Sequence, residues 1–416
     1  MRLPPITQVA AALRTTTEVL AQELAIPTSE PPRWTEFEWR IARAVAAMQG
    51  VSPLLHARLR WQGPESWQRF LRGQREQSIG RHREIERVLD AVDSRARCEG
   101  VALVALKGAA LHARNIYAAG ERPMGDIDLL IRVEDAPAIS RVLDACGYSA
   151  AFAIQRHQVY QPRAGKPVIG GILGEHVGNP IKIEVHTKIA EQLPVTATDI
   201  TPFLLPEAAH PGLNEYPCSV ALMMHLLLHA AGNIRARALR LIQLHDIALL
   251  AERLNAEEWK DLLSVRPGGR TLWWALAPLI LTARYYPAAI PQDLFPRLDI
   301  ECPWRLRVLA RRQQLTDVSW SNIRVEAFPG LEWSRTPRDA VTFMRSRIWP
   351  SRDARLELKE GHAQIPGSAT IPWYGISHPA RILRWVFSRP PRVQTMLSVR
   401  AALDECVDEP DIRSSP

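Results

Sequence analysis

The chain has 416 residues, 46% of them apolar, and a formal net charge of +8 at pH 7. This composition is ordinary for a globular protein, and the length predicts two or three domains. No apolar run reaches the roughly 18 residues that a membrane-spanning helix needs. Glu18 and Glu23 near the N-terminus do not fit a signal peptide. We therefore expect a cytoplasmic protein without a membrane span.

Five scattered cysteines without C-x-x-C spacing predict reduced, buried thiols rather than disulfides or a zinc site. They are Cys98, Cys146, Cys218, Cys302 and Cys406. The positive charge fits phosphate-bearing partners. It also fits an arginine-rich composition with acidic residues interspersed throughout, and we prefer this second interpretation.

Residues 1–97 are predicted to form an N-terminal helical region. A short helix is predicted over Gln8–Leu24, an amphipathic helix with apolar residues at helical spacing over Glu36–Met48, and one or two long helices over Ser66–Cys98. The last stretch also carries many arginines and glutamates. We interpret them as a solvated helix face with charge pairs one turn apart, in preference to a nucleic-acid-binding face.

The next segment combines short apolar runs with polar residues at their ends. It predicts a strand over Val101–Leu106, a helix over Ala109–Tyr117 and a second strand over Asp126–Ile131. Asp126 and Asp128 share one face of the second strand. Two carboxylates on one exposed face are costly unless a cation neutralises them. Oxygen ligands of this kind suit Mg2+.

A helix is predicted to follow, with Asp135 as its N-cap, Pro137 in its first turn and Gly147 at its end. The stretch Tyr148–Tyr160 is predicted to add a strand, and several glycines between residues 165 and 178 indicate a loop. The strand-helix-strand-helix order and the lengths of these elements fit an α/β core with a mixed sheet.

A later strand, Ile181–Ile189, alternates between apolar and polar residues. Its apolar face must lie on a core, which places Lys182, Glu184 and His186 together on the other face. We expect Glu184 to lie beside Asp126 or Asp128 in the same sheet, directly or across one strand.

The order of a strand, Gly-small residue, a helix and an Asp-x-Asp strand resembles the nucleotidyltransferase superfamily of the DNA polymerase β type. The motif LKGAAL followed by GERPMGDIDLL is still more similar to an uncharacterised bacterial nucleotidyltransferase family. Members of this family are found near lasso-peptide and exosortase or polysaccharide gene clusters. The superfamily usually has Gly-Ser after the first strand, where this chain has Gly108-Ala109. The related family tends to read Asp-Leu-His-Trp where this chain has Glu-Val-His-Thr from Glu184 onward.

The resemblance implies a small mixed-sheet α/β core with flanking helical regions, and transfer of a nucleoside monophosphate from an NTP such as ATP. It implies Asp126, Asp128 and Glu184 as catalytic residues and ligands of Mg2+ or Mn2+. One cation would stabilise the leaving pyrophosphate and the other would activate an acceptor hydroxyl. The resemblance and the phosphate-binding chemistry of basic residues together suggest the nucleotide-binding residues Lys107, Gly108, Ala109, Arg122 and His186.

The core is predicted to span residues 98–200, followed by a C-terminal helical domain over 201–350 and an extension over 351–416. Residues 190–218 are proline-rich and predict a linker. Helices are predicted over Ser219–Ala231, Ala238–Leu254, Glu257–Leu263, Thr271–Tyr285, Trp304–Leu315 and Asp339–Arg347, and a basic helix over Ile376–Phe387.

Three histidines and an aspartate in the helical region allow more than one interpretation. His225 and His229 lie one helical turn apart, and His245-Asp246 lies on the next predicted helix. They loosely resemble a metal phosphohydrolase site of the HD type. We prefer a structural hydrogen bond from His229 to Asp246 that joins the two helices. A third interpretation places these residues in an acceptor pocket.

The acceptor is not specified by these motifs. A hydroxyl or phosphate of a peptide, sugar or small molecule is preferred over nucleic acid. The alternatives are an RNA-directed, toxin-like nucleotidyltransferase and a catalytically degenerate scaffold or binding protein of a biosynthetic cluster.

Overall fold

The computed structural model describes residues 4–153, 157–164, 173–352, 355 and 376–404. Within these ranges the strands are β1 Ala102–Ala105, β2 Asp126–Ile131, β3 Tyr148–Ala153, β4 His157–Pro162, β5 Lys182–His186, β6 Ala190–Gln192, β7 Ala197–Asp199 and β8 Gly212–Asn214. The α-helices in the same ranges are α1 Ile6–Ala25, α2 Glu36–Met48, α3 Ser52–Arg58, α4 Glu65–Glu99, α5 Lys107–Ala113, α6 Ala136–Ala145, α7 Ser219–Ala236, α8 Leu241–Ala251, α9 Ala256–Ser264, α10 Leu276–Tyr285, α11 Leu294–Asp299, α12 Trp304–Ala310, α13 Leu315–Val318, α14 Pro337–Ile348, α15 His378–Ser388 and α16 Val393–Asp404.

Six strands form one mixed sheet in the order β3, β4, β5, β2, β1, β8. Strand β2 pairs antiparallel with β1 and parallel with β5, while β1 pairs parallel with β8. Strand β4 pairs antiparallel with both β3 and β5. The predicted fold class, a small mixed-sheet core with helical regions on both sides in sequence, is confirmed.

The two faces of the sheet bury different sets of side chains. Ile127, Leu129 and Ile131 of β2 belong to the core beneath α4 and α6. Leu130 points the other way and joins the larger helical core. Because side chains alternate along a strand, Asp126 and Asp128 lie on the same face as Leu130. The predicted carboxylate face therefore faces the helical region.

Helix α4 is a single helix of 35 residues that crosses the sheet. Most of its buried residues lie three, four or seven positions apart, and they are Trp67, Leu71, Gln74, Ser78, Arg81, His82, Ile85, Val92 and Ala96. This spacing forms one stripe along the helix. Gly100 ends the helix with φ +72 in the left-handed region, where glycine has no Cβ penalty, and the chain enters β1 directly.

Several local predictions differ from the structure. Asp135 closes a 3-10 turn, Val133–Asp135, and its side chain makes no cap hydrogen bond to α6. The strand predicted within Tyr148–Tyr160 is a hairpin, β3 and β4, whose connecting residues lie outside the described ranges. The predicted linker 190–218 contains the β6–β7 hairpin and β8. Strand β8 was not predicted because its partner, β1, lies far away in sequence.

The N-terminal helices, the helices after residue 219 and α16 share one core. Helix α16 packs on α2, and Arg43 donates to the carbonyl of Ala402 at 2.9 Å. The domain boundaries at residues 97, 200 and 350 stay predictions. The loop predicted over 165–178 lies mostly outside the described residues, as does the start of the extension.

Four cysteines in the described ranges are free thiols. Cys302 is buried and Cys146 half-buried, but Cys98 and Cys218 are exposed, so the expectation of buried thiols holds for only part of the set. Among the described helices, none combines the length and apolar character needed to cross a bilayer.

Candidate active site

The two predicted carboxylate strands are direct neighbours. In the parallel pairing of β2 with β5, Asp126 is opposite Lys182 and Asp128 is opposite Glu184. Paired residues on adjacent strands project to the same face of a sheet. The predicted juxtaposition of Glu184 with the Asp-x-Asp strand is therefore confirmed. The role of these residues as metal ligands stays a prediction.

Asp128 is the most strongly bonded carboxylate of the cluster. Its Oδ1 accepts a hydrogen bond from Lys107 Nζ at 2.9 Å and lies 3.0 Å from His186 Nε2. Burial alone would raise the pKa of Asp128, but Lys107 and His186 outweigh burial and hold the pKa well below its ordinary value. Asp128 is therefore an anion at neutral pH.

Lys107 is the first residue of α5, soon after β1, and its backbone conformation is unusual for a residue with a side chain. Its φ is +47, in the left-handed region. Its backbone N–H donates to the Tyr216 hydroxyl at 3.4 Å, and that hydroxyl lies 2.7 Å from His225 Nδ1. Burial would lower the pKa of Lys107, but Asp128 and Asp126 outweigh it and raise the pKa. Strained backbone of this kind clusters at functional sites.

Glu184 makes its closest contacts with histidines. Its Oε2 lies 3.4 Å from His157 Nε2 and 3.8 Å from His186 Nε2. Burial and the neighbouring Asp128 and Asp126 carboxylates raise the pKa of Glu184 to about 7. Desolvation by the surrounding protein and repulsion from the Asp128 carboxylate likewise raise the pKa of Asp126. The cluster thus holds more negative charge than its neighbours neutralise.

The tightest metal-ligating group differs from the predicted one. Among the described residues, the group whose ligand atoms lie within 4.8 Å of one another consists of His157, Glu184 and His186. The two aspartates lie beside this group and are not part of it. Sequence reasoning missed His157, which lies on the strand predicted only loosely within Tyr148–Tyr160. Its cross-strand partner, His186, is visible only from the pairing of β4 with β5.

Arg122 makes an ion pair with a residue of the helical region. Its Nε and Nη2 donate to Asp246 at 2.8 Å each, and Tyr117 donates its hydroxyl to the same carboxylate at 2.7 Å. A two-armed, buried ion pair of this kind holds two elements together. Arg122 was predicted to bind phosphate, but the structure gives its guanidinium to Asp246.

Gly108 and Ala109, also predicted to contact nucleotide, are buried in the first turn of α5. A Cβ atom at position 108 would lie 2.3 Å from Arg122 Nη1 and 3.0 Å from the Met124 side chain. The glycine therefore leaves space for the Arg122 side chain to reach Asp246.

Arg81 is a buried residue of α4 that connects this helix to both carboxylate strands. The sequence had been interpreted as placing it on a solvated helix face. Arg81 donates to the carbonyls of Met124 and Gly125, just before β2, at 3.2 and 3.0 Å. It also donates to the carbonyls of His176 and Asn179, ahead of β5, at 3.1 and 2.9 Å. Its position on the buried stripe of α4 is the signal that could have identified it.

The predicted hydrogen bond between His229 and Asp246 is wrong. His229 Nε2 lies 3.2 Å from Asn233 Nδ2, while Asp246 binds Arg122 and Tyr117. His245 Nδ1 lies 3.0 Å from the Tyr286 hydroxyl. Within the described ranges these residues therefore have separate partners and form no HD-type metal site.

A cavity of about 670 Å³ lies elsewhere, between the β6–β7 hairpin, the segment around Trp273 and the start of α14. Its lining includes Asp199, Glu301 and Arg335 and none of the carboxylate-site residues described above.

The donor atoms of the site fit a divalent cation. Three carboxylates share one face with two imidazoles, and two of those carboxylates have raised pKa values. Carboxylate oxygens bind Mg2+ and Mn2+, and imidazole adds affinity for transition metals.

A mixed sheet with an Asp-x-Asp strand beside a parallel strand that carries a third carboxylate defines a core of the nucleotidyltransferase class. The model of a family described as uncharacterised nucleotidyltransferase matches residues 35–272, more than half of the chain. The protein belongs to this family. No curated protein matches the chain, and no solved structure does.

Proposed function

We propose that the protein transfers a nucleoside monophosphate from an NTP, such as ATP, to a hydroxyl or phosphate of a peptide, sugar or small molecule. The observation that carries this proposal is the register of β2 and β5, which sets Asp128 beside Glu184 on the face that also holds Asp126. Family membership supports the reaction class.

In this proposal Asp126, Asp128 and Glu184 hold Mg2+ or Mn2+ with the triphosphate. Divalent cations in such sites neutralise charge on the phosphates and lower the pKa of an acceptor hydroxyl. Lys107 supplies a fixed positive charge beside Asp128, 2.9 Å away, and is placed to pair with a phosphate oxygen.

In the transfer step the acceptor oxygen bonds to the α-phosphorus. The bond from the α-phosphorus to the oxygen shared with the β-phosphorus breaks, and pyrophosphate leaves. Glu184 has one of two roles: it holds the cation that lowers the pKa of the acceptor hydroxyl, whose proton then passes to solvent, or it binds no cation and accepts that proton itself. We place the reaction in the cytoplasm, where a protein with free thiols is stable.

The test is incubation with each of the four α-labelled ribonucleoside triphosphates and Mg2+ or Mn2+. Candidate peptides, sugars and RNA are included, followed by pyrophosphate detection and mass spectrometry. We expect a mass gain of one nucleoside monophosphate on an acceptor, abolished by chelator. Labelled RNA would favour the RNA-directed alternative. A folded protein that binds NTP but neither releases pyrophosphate nor labels an acceptor would favour the scaffold alternative and overturn the proposal.

A further inference from the structure

Two histidines on adjacent strands flank the third carboxylate of the site. His157 of β4 pairs across the sheet with His186 of β5, and Glu184 lies two residues before His186. The rings of the two histidines have centroids 4.9 Å apart. Both His157 and Glu184 are partly exposed, with 15% and 24% of their side chains accessible. A small ion can therefore reach them from solvent.

The distances between the ligand atoms suit a single cation. Nitrogen and oxygen ligands lie about 2.0–2.2 Å from a transition metal such as zinc, which puts tetrahedral ligands roughly 3.3 Å apart. Glu184 Oε2 lies 3.4 Å from His157 Nε2 and 3.8 Å from His186 Nε2. The ligand atoms of all three residues lie within 4.8 Å of one another. Small side-chain rotations would complete the geometry.

The sheet fixes this arrangement. Strand β5 is held between β4 and β2 by ladders on both sides, so the positions of Glu184 and His186 are set by two neighbours. A site built on strands holds its ligands more precisely than a site on loops. The group is therefore preorganised, although its residues lie up to 29 positions apart in sequence.

We propose that His157, Glu184 and His186 form a second cation site, beside the aspartate pair, that selects a transition metal such as Mn2+, Co2+ or Zn2+ over Mg2+. Imidazole ligands suit transition metals, whereas Mg2+ prefers an all-oxygen shell. In the proposed function this ion would lie on the acceptor side of the transfer and share Glu184 with the aspartate site, and that assignment alone rests on the proposed function. The binding site itself stands on the geometry of three side chains.

The alternative is a hydrogen-bonded cluster in which protons alone connect the three residues. The two arrangements differ in their response to Co2+, whose visible absorption becomes intense when imidazole and carboxylate ligands lower its coordination number. Metal-free full-length protein is titrated with Co2+ without nucleotide, and Mg2+ is added as competitor. The variants are His157→Ala, His157→Gln and His186→Ala. His56→Ala, at an exposed position of α3, is the matched control.

We expect intense Co2+ bands in the wild-type protein and in the control, with little displacement by excess Mg2+. Each variant of the cluster should lose these bands and weaken Co2+ binding by at least about tenfold. Weak bands in wild-type protein, unchanged Co2+ affinity in His157→Gln, or displacement by equimolar Mg2+ would each overturn the proposal. Because no nucleotide is present, a failed metal site and a failed transferase assignment give separate results.

Discussion

Asp128 and Glu184 occupy paired positions on two parallel strands, and the sheet therefore holds both carboxylates on one face. Asp128→Asn and Asp126→Asn are expected to lower nucleotide transfer by about a thousandfold or more, because each removes a charge that holds the cation at the reacting phosphate. The measurement is single-turnover transfer at saturating NTP, with circular dichroism to confirm folding. Near-normal rates in both variants would place the chemistry elsewhere.

The raised pKa of Glu184 predicts how the metal-free protein responds to pH. Unfolding returns this carboxyl to an ordinary pKa near 4.5, whereas in the folded protein it is about 7. Between these values the folded state retains a proton that the unfolded chain has lost. Stability is therefore lost as pH rises through this interval and does not return above it.

Glu184→Gln removes this titration. Its melting temperature, measured with a chelator, should be close to that of the wild type at pH 4 and higher than it at pH 8. Added metal should reverse the order at pH 8, since the ion requires the ionised carboxylate. A wild-type protein that is the more stable of the two at pH 8 without metal would contradict the assigned pKa.

Lys107 supplies the charge that keeps Asp128 ionised inside the protein. Lys107→Met leaves a buried carboxylate with only His186 as partner, and should lower the free energy of unfolding by about 3–5 kcal/mol. Transfer by the remaining folded molecules should fall as well. The matched control is Lys260→Met, which breaks only an exposed pair with Glu257 on α9. Urea unfolding and turnover per folded molecule check both effects, and a stability equal to that of the control would show that the Lys107 pair contributes little.

The ion pair of Arg122 with Asp246 allows a direct test between a structural and a phosphate-binding role. Arg122→Met or Asp246→Leu alone leaves a buried charge unpaired, and each is expected to cost about 3–5 kcal/mol. The double variant should lose clearly less than the sum. It should also retain transfer if the pair is structural. A stable double variant with abolished transfer would instead support phosphate binding by Arg122.

Arg81 positions the starts of both carboxylate strands, and its lysine variant cannot make four separate hydrogen bonds from a planar group. Arg81→Lys should therefore weaken metal binding and lower kcat, with little change in the KM for NTP. Arg83→Lys, on the exposed side of the same helix, is the control. Metal affinity measured by calorimetry is the decisive readout. A variant that is less stable but binds metal normally would reduce Arg81 to a purely structural role.

The sequence was sufficient for the strands that carry the site. Alternation along Asp126–Ile131 and Ile181–Ile189 determines which side chains share a face, because successive residues on a strand point in opposite directions. It therefore predicted the faces of Asp126, Asp128 and Glu184. Helical structure before β1 was likewise predicted over Ser66–Cys98, as one or two helices, and the structure has a single helix there.

Only the tertiary structure decided which residues meet. Arg122 binds Asp246, Arg81 binds carbonyls ahead of two strands, and His157 lies against Glu184. These contacts join residues 27 to 124 positions apart. Such contacts follow from the order of strands in the sheet and from how helices pack on it. Sequence periodicity is local: it fixes the face on which a side chain lies but not the neighbour that it finds there. In the sequence, Arg122 and Arg81 cannot be distinguished from an exposed arginine. Each has its role because it is buried against specific hydrogen-bond acceptors.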